Sequence, residues 1–358
     1  MHGRMLAVES SCDETAAAIV ERTTDGELRV LSNIVASQHE LHQRYAGVVP
    51  EIASRAHLEK ILPVLQEALA RARCTLNEID AVSVGIRPGL IGSLLVGVSA
   101  AKAIAWSLSK PFYGIDHVEA HLWSGLLEQA APTFPAYGLV LSGGHTNLFR
   151  IEHGDPQPTL LGWTIDDAIG EAFDKAAFML GLPHPGGPHL EQLAREGNPR
   201  AHAFPLAQTE GFQFSFSGLK TAMLYAVRGV PEGRGKSSHF TRSHLDLTRE
   251  AKADLAASFQ RAAIASILRR LREAHASAPC PTLLVGGGVI ANQVLRHELM
   301  AFAVEHDLTL RMPSQAYCVD NAAMIGGAAW MRVVQGSPSD PLTVPAQPTS
   351  KLGAPRHS

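Results

Sequence analysis

The chain has 358 residues, enough for two adjoining domains, and 46% hydrophobic against 18% charged residues is the balance of a globular protein with an ample core. A net charge of −3 excludes any global attraction to polyanions, so contact with nucleic acid needs a local basic patch or a partner protein. Cys12, Cys74, Cys280 and Cys318 show no CxxC spacing, which fits a reducing cytosol and not a disulfide framework. The first residues reach Glu9 after a short apolar run, too little for a signal-peptide core. The longest apolar stretch, Leu90–Trp106, is broken by glycines, serines and Lys102 and falls short of a spanning helix. A cytoplasmic protein without membrane contact is expected.

In chain order, "MLAVESSCDETAAAIVE" reads as a strand, a loop tipped by Asp13 and Glu14, and a second strand. Leu58, Ile61, Leu62, Leu65 and Leu69 recur at helical spacing. "AVSVGIRPGLIGSLLVGVSAAKAIAWSL" is a strand, a glycine turn and a buried helix, and "PFYGIDHVEAHLWSGLL" a short strand leading into a helix. "YGLVLSGGHTNLFRIE" repeats the opening strand–turn–strand, so an internal duplication is expected. Helices follow over "DDAIGEAFDKAAFMLGL", after "PHPGGP", and as one or two long helices over "LDLTREAKADLAASFQRAAIASILRRLREAH". A buried strand, triple-glycine turn and helix over 282–306 and a last loop and helix over 316–333 complete the order. The proline-rich stretch after Gly336 lacks periodicity and is expected to be disordered.

His117 and His121, four apart, share one helix face and can reach one metal ion, although surface or capping histidines are an equal alternative. Glu119 faces elsewhere and does not directly follow the first histidine, so the HExxH protease pattern is not met. The turns "LSGGHT" (141–146), "PGGP" (185–188) and "VGGGVIAN" (285–292) allow backbone N–H groups to approach an anion, yet match neither the phosphate-loop nor the dinucleotide fingerprint. Each is equally plausible as a tight turn of an α/β protein. Asp320 by itself reads as a helix N-cap, and Lys220 in "FSFSGLKTA" as a solvated lysine. The stretch 228–244, with Arg228, Arg234, Lys236 and Arg242, is a candidate phosphate contact or a surface loop.

In this order, "ESSCDET", "GVVPEIASR", "HVEAH", "LSGGHT", "GEAFDKAA", "PGGP", "FSFSGLKT", "GGGVIAN" and "YCVDNAAMIG" resemble the tRNA threonylcarbamoyladenosine transferase family from about Leu6 to Trp330. The resemblance implies the two-lobed α/β fold of the actin-like ATPase, sugar kinase and chaperone-ATPase (ASKHA) superfamily, with a ligand cleft between duplicated lobes. One lobe would comprise 1–115 with 316–335, the other 116–315, and 336–358 would be the disordered tail. The metal ligands implied are His117, His121 and Asp320, holding one divalent ion, with iron(II) expected ahead of zinc. Substrate contacts would come from Val140, Leu141, Ser142, Gly143, Gly144, Asp174, Gly187 and Asn292. Asp174 would accept from ribose hydroxyls, and Asn292 would offer donor and acceptor to the adenylate. His189 stands where family members often carry methionine or a similar apolar residue after "PGGP".

The implied activity moves a threonylcarbamoyl group from threonylcarbamoyl-AMP to N6 of adenosine 37 in tRNAs reading codons that begin with A, releasing AMP. Asp13, Glu14 and His145 are candidates for proton transfer. Implied partners are tRNA, a paralogue like TsaB and a small ATPase like TsaE, with a separate enzyme, TsaC, making the adenylate. The apolar face of the Leu58–Leu69 helix is a candidate paralogue interface, or packs on its own lobe. Alternatives are a superfamily ATPase or phosphotransferase, which would hold its ion by carboxylates and water; a non-catalytic scaffold, expected to lack the three ligands; and a metalloprotease.

Overall fold

The computed structural model describes residues 2–43, 48–129, 131–153, 158–233 and 239–350. β1 (Gly3–Glu9), β2 (Glu14–Arg22) and β3 (Leu28–Ser37) form an antiparallel meander. α1 (His39–Gln43) and α2 (Pro50–Ala72) precede β4 (Ala81–Arg87), α3 (Ile91–Ser107) and β5 (Phe112–Asp116). Sheet order is β3-β2-β1-β4-β5, with β1, β4 and β5 parallel. The parallel strands are buried nearly throughout, the expected pattern for strands covered on both faces.

α4 (His117–Trp123) leads to β6 (Ala136–Leu141), β7 (Thr146–Ile151) and β8 (Thr159–Trp163), again an antiparallel meander. α5 (Ile169–Met179), α6 (Gly186–Ala194), α7 (Ser217–Arg228) and a single long α8 (Arg249–Ser277) come next. β9 (Thr282–Gly286), α9 (Gln293–Glu305), β10 (Thr309–Arg311) and α10 (Ala322–Val334) follow. The second sheet runs β10-β9-β6-β7-β8, with β6, β9 and β10 parallel. Read from its other edge, it has the strand order and directions of the first, so the duplication expected from the two hairpins is present.

α2 and α3 cover one face of the first sheet, and α5, α7, α8 and α9 contribute to the core on the far face of the second. Between the sheets lies a shared core in which α10 rests on β1 and β2 while α4 packs against β6, β9 and α10. The small residues of α10 permit this close approach: a Cβ on Gly326 would stand 2.7 Å from Val20 Cγ2. Among the described residues no helix is long and apolar enough to cross a membrane, and the four cysteines are free thiols.

Two expectations need correction. The apolar set on α2 is split: Ile61 and Leu65 are buried against the first sheet, whereas Leu58 and Leu62 are 64% and 65% exposed. The stretch after Gly336 is ordered through Ser350, because its backbone has partners. Asp340 N donates to Phe112 O at the edge strand β5, and Gln347 N to Ile86 O. Val344 and Ala346 pack on the core beneath α2 and α3. Prolines remove donors from this segment but do not prevent pairing along a sheet edge. Residues 351–358 of the expected tail lie outside the described residues.

Candidate metal centre and glycine-turn cleft

β5 ends in Asp116, whose Oδ1 accepts the N–H of Val118 at 3.0 Å and so caps α4. The helix thereby starts at His117, and its four-residue spacing sets His121 edge-on to it, ring centroids 4.6 Å apart and planes at 84°. From the far end of the chain, Asn321 caps α10 through Met324 N, while its Nδ2 donates to Tyr317 O and Val319 O. The cap is therefore Asn321 and not Asp320. Relieved of that role, Asp320 turns its Oδ1 to within 3.4 Å of His117 Nε2 and 3.2 Å of His121 Nε2.

One ligand atom from each of the three lies within 4.8 Å of the others, a set that could hold a metal ion. Two imidazoles and a carboxylate suit iron(II) or zinc and leave coordination positions for substrate. The other nitrogen of His117 is occupied: Nδ1 stands 3.3 Å from Glu9 Oε2 and 3.2 Å from Ser11 Oγ, directing Nε2 at Asp320. Glu9 is itself fixed by Ser11 N at 2.6 Å, and it fits because Gly85 lies beneath it, where a Cβ would approach within 2.6 Å. Neither Glu9 nor Ser11 was singled out by sequence. The one available signal is a glutamate closing the buried apolar run Met5–Val8.

Electrostatics follow from this packing. Burial opposes a proton on His117, but the Asp320 and Glu9 carboxylates outweigh it and hold its pKa well above the ordinary imidazole value. Burial lowers that of His121, while the two imidazoles outweigh burial at Asp320 and hold it well below the carboxylate range. Beside them, burial and then the Asp320 and Asp13 charges raise Glu14 to about 9, so it is protonated at neutral pH without metal. The loop carrying Asp13 and Glu14 is held by buried His57, which contacts Thr15 Oγ1 at 2.8 Å and Cys12 O at 3.1 Å. His57 also went unrecognised, because its helix looks ordinary in sequence.

The glycine turns meet around the start of α5. Ser142 O accepts Gly170 N, and Ser142 Oγ accepts His145 N, which closes the 142–145 turn over the helix N-terminus. Burial, then the neighbouring imidazoles of His117 and His121, which disfavour a further proton, lower His145 to about 4 and leave it neutral beside the pair. Gly143 and Gly144 are exposed, and a Cβ at either would meet nothing within 4 Å. Val140 and Leu141 are fully buried in β6, so the open part of their segment begins at the turn. Asp174 Oδ1 accepts Gly186 N and Gly187 N and ties the second turn to α5. The third is locked by Gly287 at φ 101°, where a Cβ would come within 2.4 Å of Leu141 O.

Two further side chains are tied into the fold. Asn292 is buried and also shapes the turn: Oδ1 caps α9 through Leu295 N and Nδ2 donates to Gln260 Oε1. Lys220 is not a solvated lysine. It shares Asp167 with Lys175 in a bridge joining α7 to α5. His189 lies at the start of α6 behind the second turn. In the 228–244 stretch, Arg228 sits over the Phe240 ring, and 234–238, with Arg234 and Lys236, lie outside the described residues.

Two meander sheets of matching order, with α4 and α10 in the core between them, give the two-lobed α/β architecture expected for the ASKHA fold. Solved HypF structures share this fold. A full-length HypF in a phosphate- and nucleotide-bound form matches 93% of this chain and 55% of its own at TM-score 0.58 and 11% identity. HypF from T. kodakarensis matches 92% and 48% at TM-score 0.59 and 14% identity.

The family model described as TsaD, tRNA N6-adenosine threonylcarbamoyltransferase, matches residues 29–327. Proteins of that name from Symbiobacterium thermophilum and Moorella thermoacetica are 49% and 48% identical, each over 92% of this chain and over 91% and 92% of their own. The chain belongs to the tRNA N6-adenosine threonylcarbamoyltransferase family, and is a transferase.

Proposed function

We propose that this chain transfers the threonylcarbamoyl group of threonylcarbamoyl-AMP to N6 of adenosine 37 in tRNAs reading codons that begin with A. The observation carrying this reading is the convergence of His117, His121 and Asp320 beside the Ser142–Gly144 turn, in a chain of this family. The N6 amine attacks the carbonyl carbon, a C–N bond forms, and the bond to the AMP oxygen breaks with its electron pair leaving on AMP. One proton leaves the amine. An exocyclic adenine amine is a weak nucleophile, so positioning and charge stabilisation must supply most of the acceleration.

In this reading His117 Nε2, His121 Nε2 and Asp320 Oδ1 hold the divalent ion, iron(II) ahead of zinc, which when bound would polarise and orient substrate oxygens. The Ser142–Gly144 turn at the start of α5 receives the phosphate, and Asp174 and Gly187 border the nucleotide. Asp13, Glu14 and His145 serve proton transfer. Before metal binds, Glu14 holds a proton at neutral pH and His145 does not, so they begin as donor and acceptor. The lobes, 1–115 with 316–335 and 116–315, would close over the adenylate and keep out water.

A net charge of −3 leaves little for binding tRNA unaided, which supports the need for a TsaB-like paralogue and a TsaE-like ATPase in the cytoplasm. The exposed Leu58 and Leu62 are the surface we assign to the paralogue. The test supplies threonylcarbamoyl-AMP, unmodified tRNA and the partners, then measures nucleosides by mass. Absence of the modified adenosine would overturn the reading.

A further inference from the structure

We infer that the segment following α10, residues 337–350, is a strap that positions the histidine helix, and that Ser350 is its positioning residue. This rests on the metal reading above.

The strap is built contact by contact. The Asp340 carboxylate takes Gly114 N at 2.9 Å and Arg332 Nη1 at 2.7 Å, anchoring the segment to α10 and to β5 together. Lys102 Nζ donates to Val344 O at 2.6 Å, and Gly89 N to Pro348 O at 3.2 Å. Ser350 Oγ then donates to Asp116 Oδ2 at 2.6 Å. That oxygen also takes Arg87 Nε at 3.1 Å, while the other oxygen of the same buried carboxylate caps α4 one residue before His117. The Arg87–Leu90 turn under the strap in turn packs on Ser11, through Leu90 N and Ser11 O at 2.8 Å, and Ser11 touches His117 Nδ1. The strap thus ends on two elements that hold His117, its helix cap and the turn behind Glu9 and Ser11.

Ordering fourteen residues costs conformational entropy at each, so the contacts must offset a sizeable loss. Covering the β5 edge explains the contacts at Asp340, Val344 and Ala346, but a cover for that edge has no need to reach Asp116. The hydroxyl of Ser350 fixes a carboxylate whose orientation sets the first turn of α4. Misplacing a ligand-bearing helix by a fraction of an ångström weakens metal binding with little effect on the fold.

The experiment measures zinc affinity by chelator competition for the full chain and for Ser350→Ala and Ser350→Thr, alongside thermal unfolding without metal. Ser350→Ala should bind zinc roughly tenfold more weakly, with Tm within about 2 °C of the parent, and Ser350→Thr should bind like the parent. Equal affinity in parent and Ser350→Ala, or equal losses in both variants, would overturn the role of the hydroxyl while leaving the metal reading intact. A parent chain that takes up no zinc or iron would overturn the metal reading and this inference with it.

Discussion

The histidine cluster and the glycine turns are neighbours, since His145 lies within the field of His117 and His121, but are built on opposite plans. Around His117, His121 and Asp320 the side chains do the work, on helix starts capped by buried Asp116 and Asn321 and, for His117, with Glu9 and Ser11 behind the ring. At Gly143, Gly144 and Gly187 the side chains are absent, and the open space where a Cβ would stand is the feature that the proposed reading uses. One region is specified by what its residues touch, the other by what they leave free. Substitutions should therefore fail differently in the two places.

The largest effect is expected at the cluster. His121→Ala removes one of three donors and should lower metal affinity more than about a hundredfold, abolishing transfer, as read by metal content after dialysis together with nucleoside analysis. Stoichiometric metal in that variant would refute the ligand set. Glu9→Gln keeps the shape but removes the charge behind His117, and should cost roughly tenfold to a hundredfold in affinity. Chelator titration checks it, and an unchanged constant would show that Glu9 only fills space over Gly85.

Much of this contrast was legible before any coordinates. The two histidines share a face because four residues make about one helical turn, and the meanders show in alternating apolar runs bounded by glycine turns. What stayed hidden depends on contacts distant in sequence. Asp320 and Asn321 are adjacent and both able to cap, and only packing reveals that Asn321 does so. Glu9 ends a buried strand, and its purpose exists only once α4 is laid across it. The strap lacks periodicity because it pairs with a sheet edge through isolated contacts, which composition reads as disorder.

A pH series sharpens the electrostatic side of the cluster. Without metal, His117 is protonated at neutral pH, since its pKa is held well above the ordinary value, and metal binding must expel that proton. His121 and Asp320, both shifted down, are already deprotonated. Affinity should thus rise about tenfold per pH unit until pH passes the raised His117 pKa, then level off. In the metal-free protein the sign reverses. The His117–Asp320 attraction is fully present below the ordinary imidazole pKa and is lost as pH rises through the raised one, so Tm should decline on the alkaline side. A flat affinity profile between about pH 6 and 8 would contradict the assigned charge state.

At the turns, Gly143→Ala meets no neighbour and should leave Tm within about 1 °C, while weakening adenylate or AMP binding a fewfold, about 1 kcal/mol, as measured by calorimetry. Gly287→Ala places a Cβ against Leu141 O at a positive φ and should instead destabilise the fold by about 1–3 kcal/mol. If both variants behave alike, the open face of the 142–145 turn is not a ligand surface.

The smallest effect on the lone chain belongs to Leu62 on α2, where adjacent residues separate packing from association. Ile61 is 6% exposed, and Ile61→Ala should cost about 2–4 kcal/mol in chemical unfolding through the cavity it leaves. Leu62, one residue on, already faces water, so Leu62→Ser should shift stability by no more than about 0.5 kcal/mol. Its consequence should surface only with a paralogue present. There an apolar anchor withdrawn from an interface costs 1 kcal/mol or more, roughly fivefold or greater in Kd. Sedimentation of the mixed proteins reads that loss. Unchanged association for Leu58→Ser and Leu62→Ser together would move the partner surface off α2, because these two are the large apolar side chains that the helix presents to solvent.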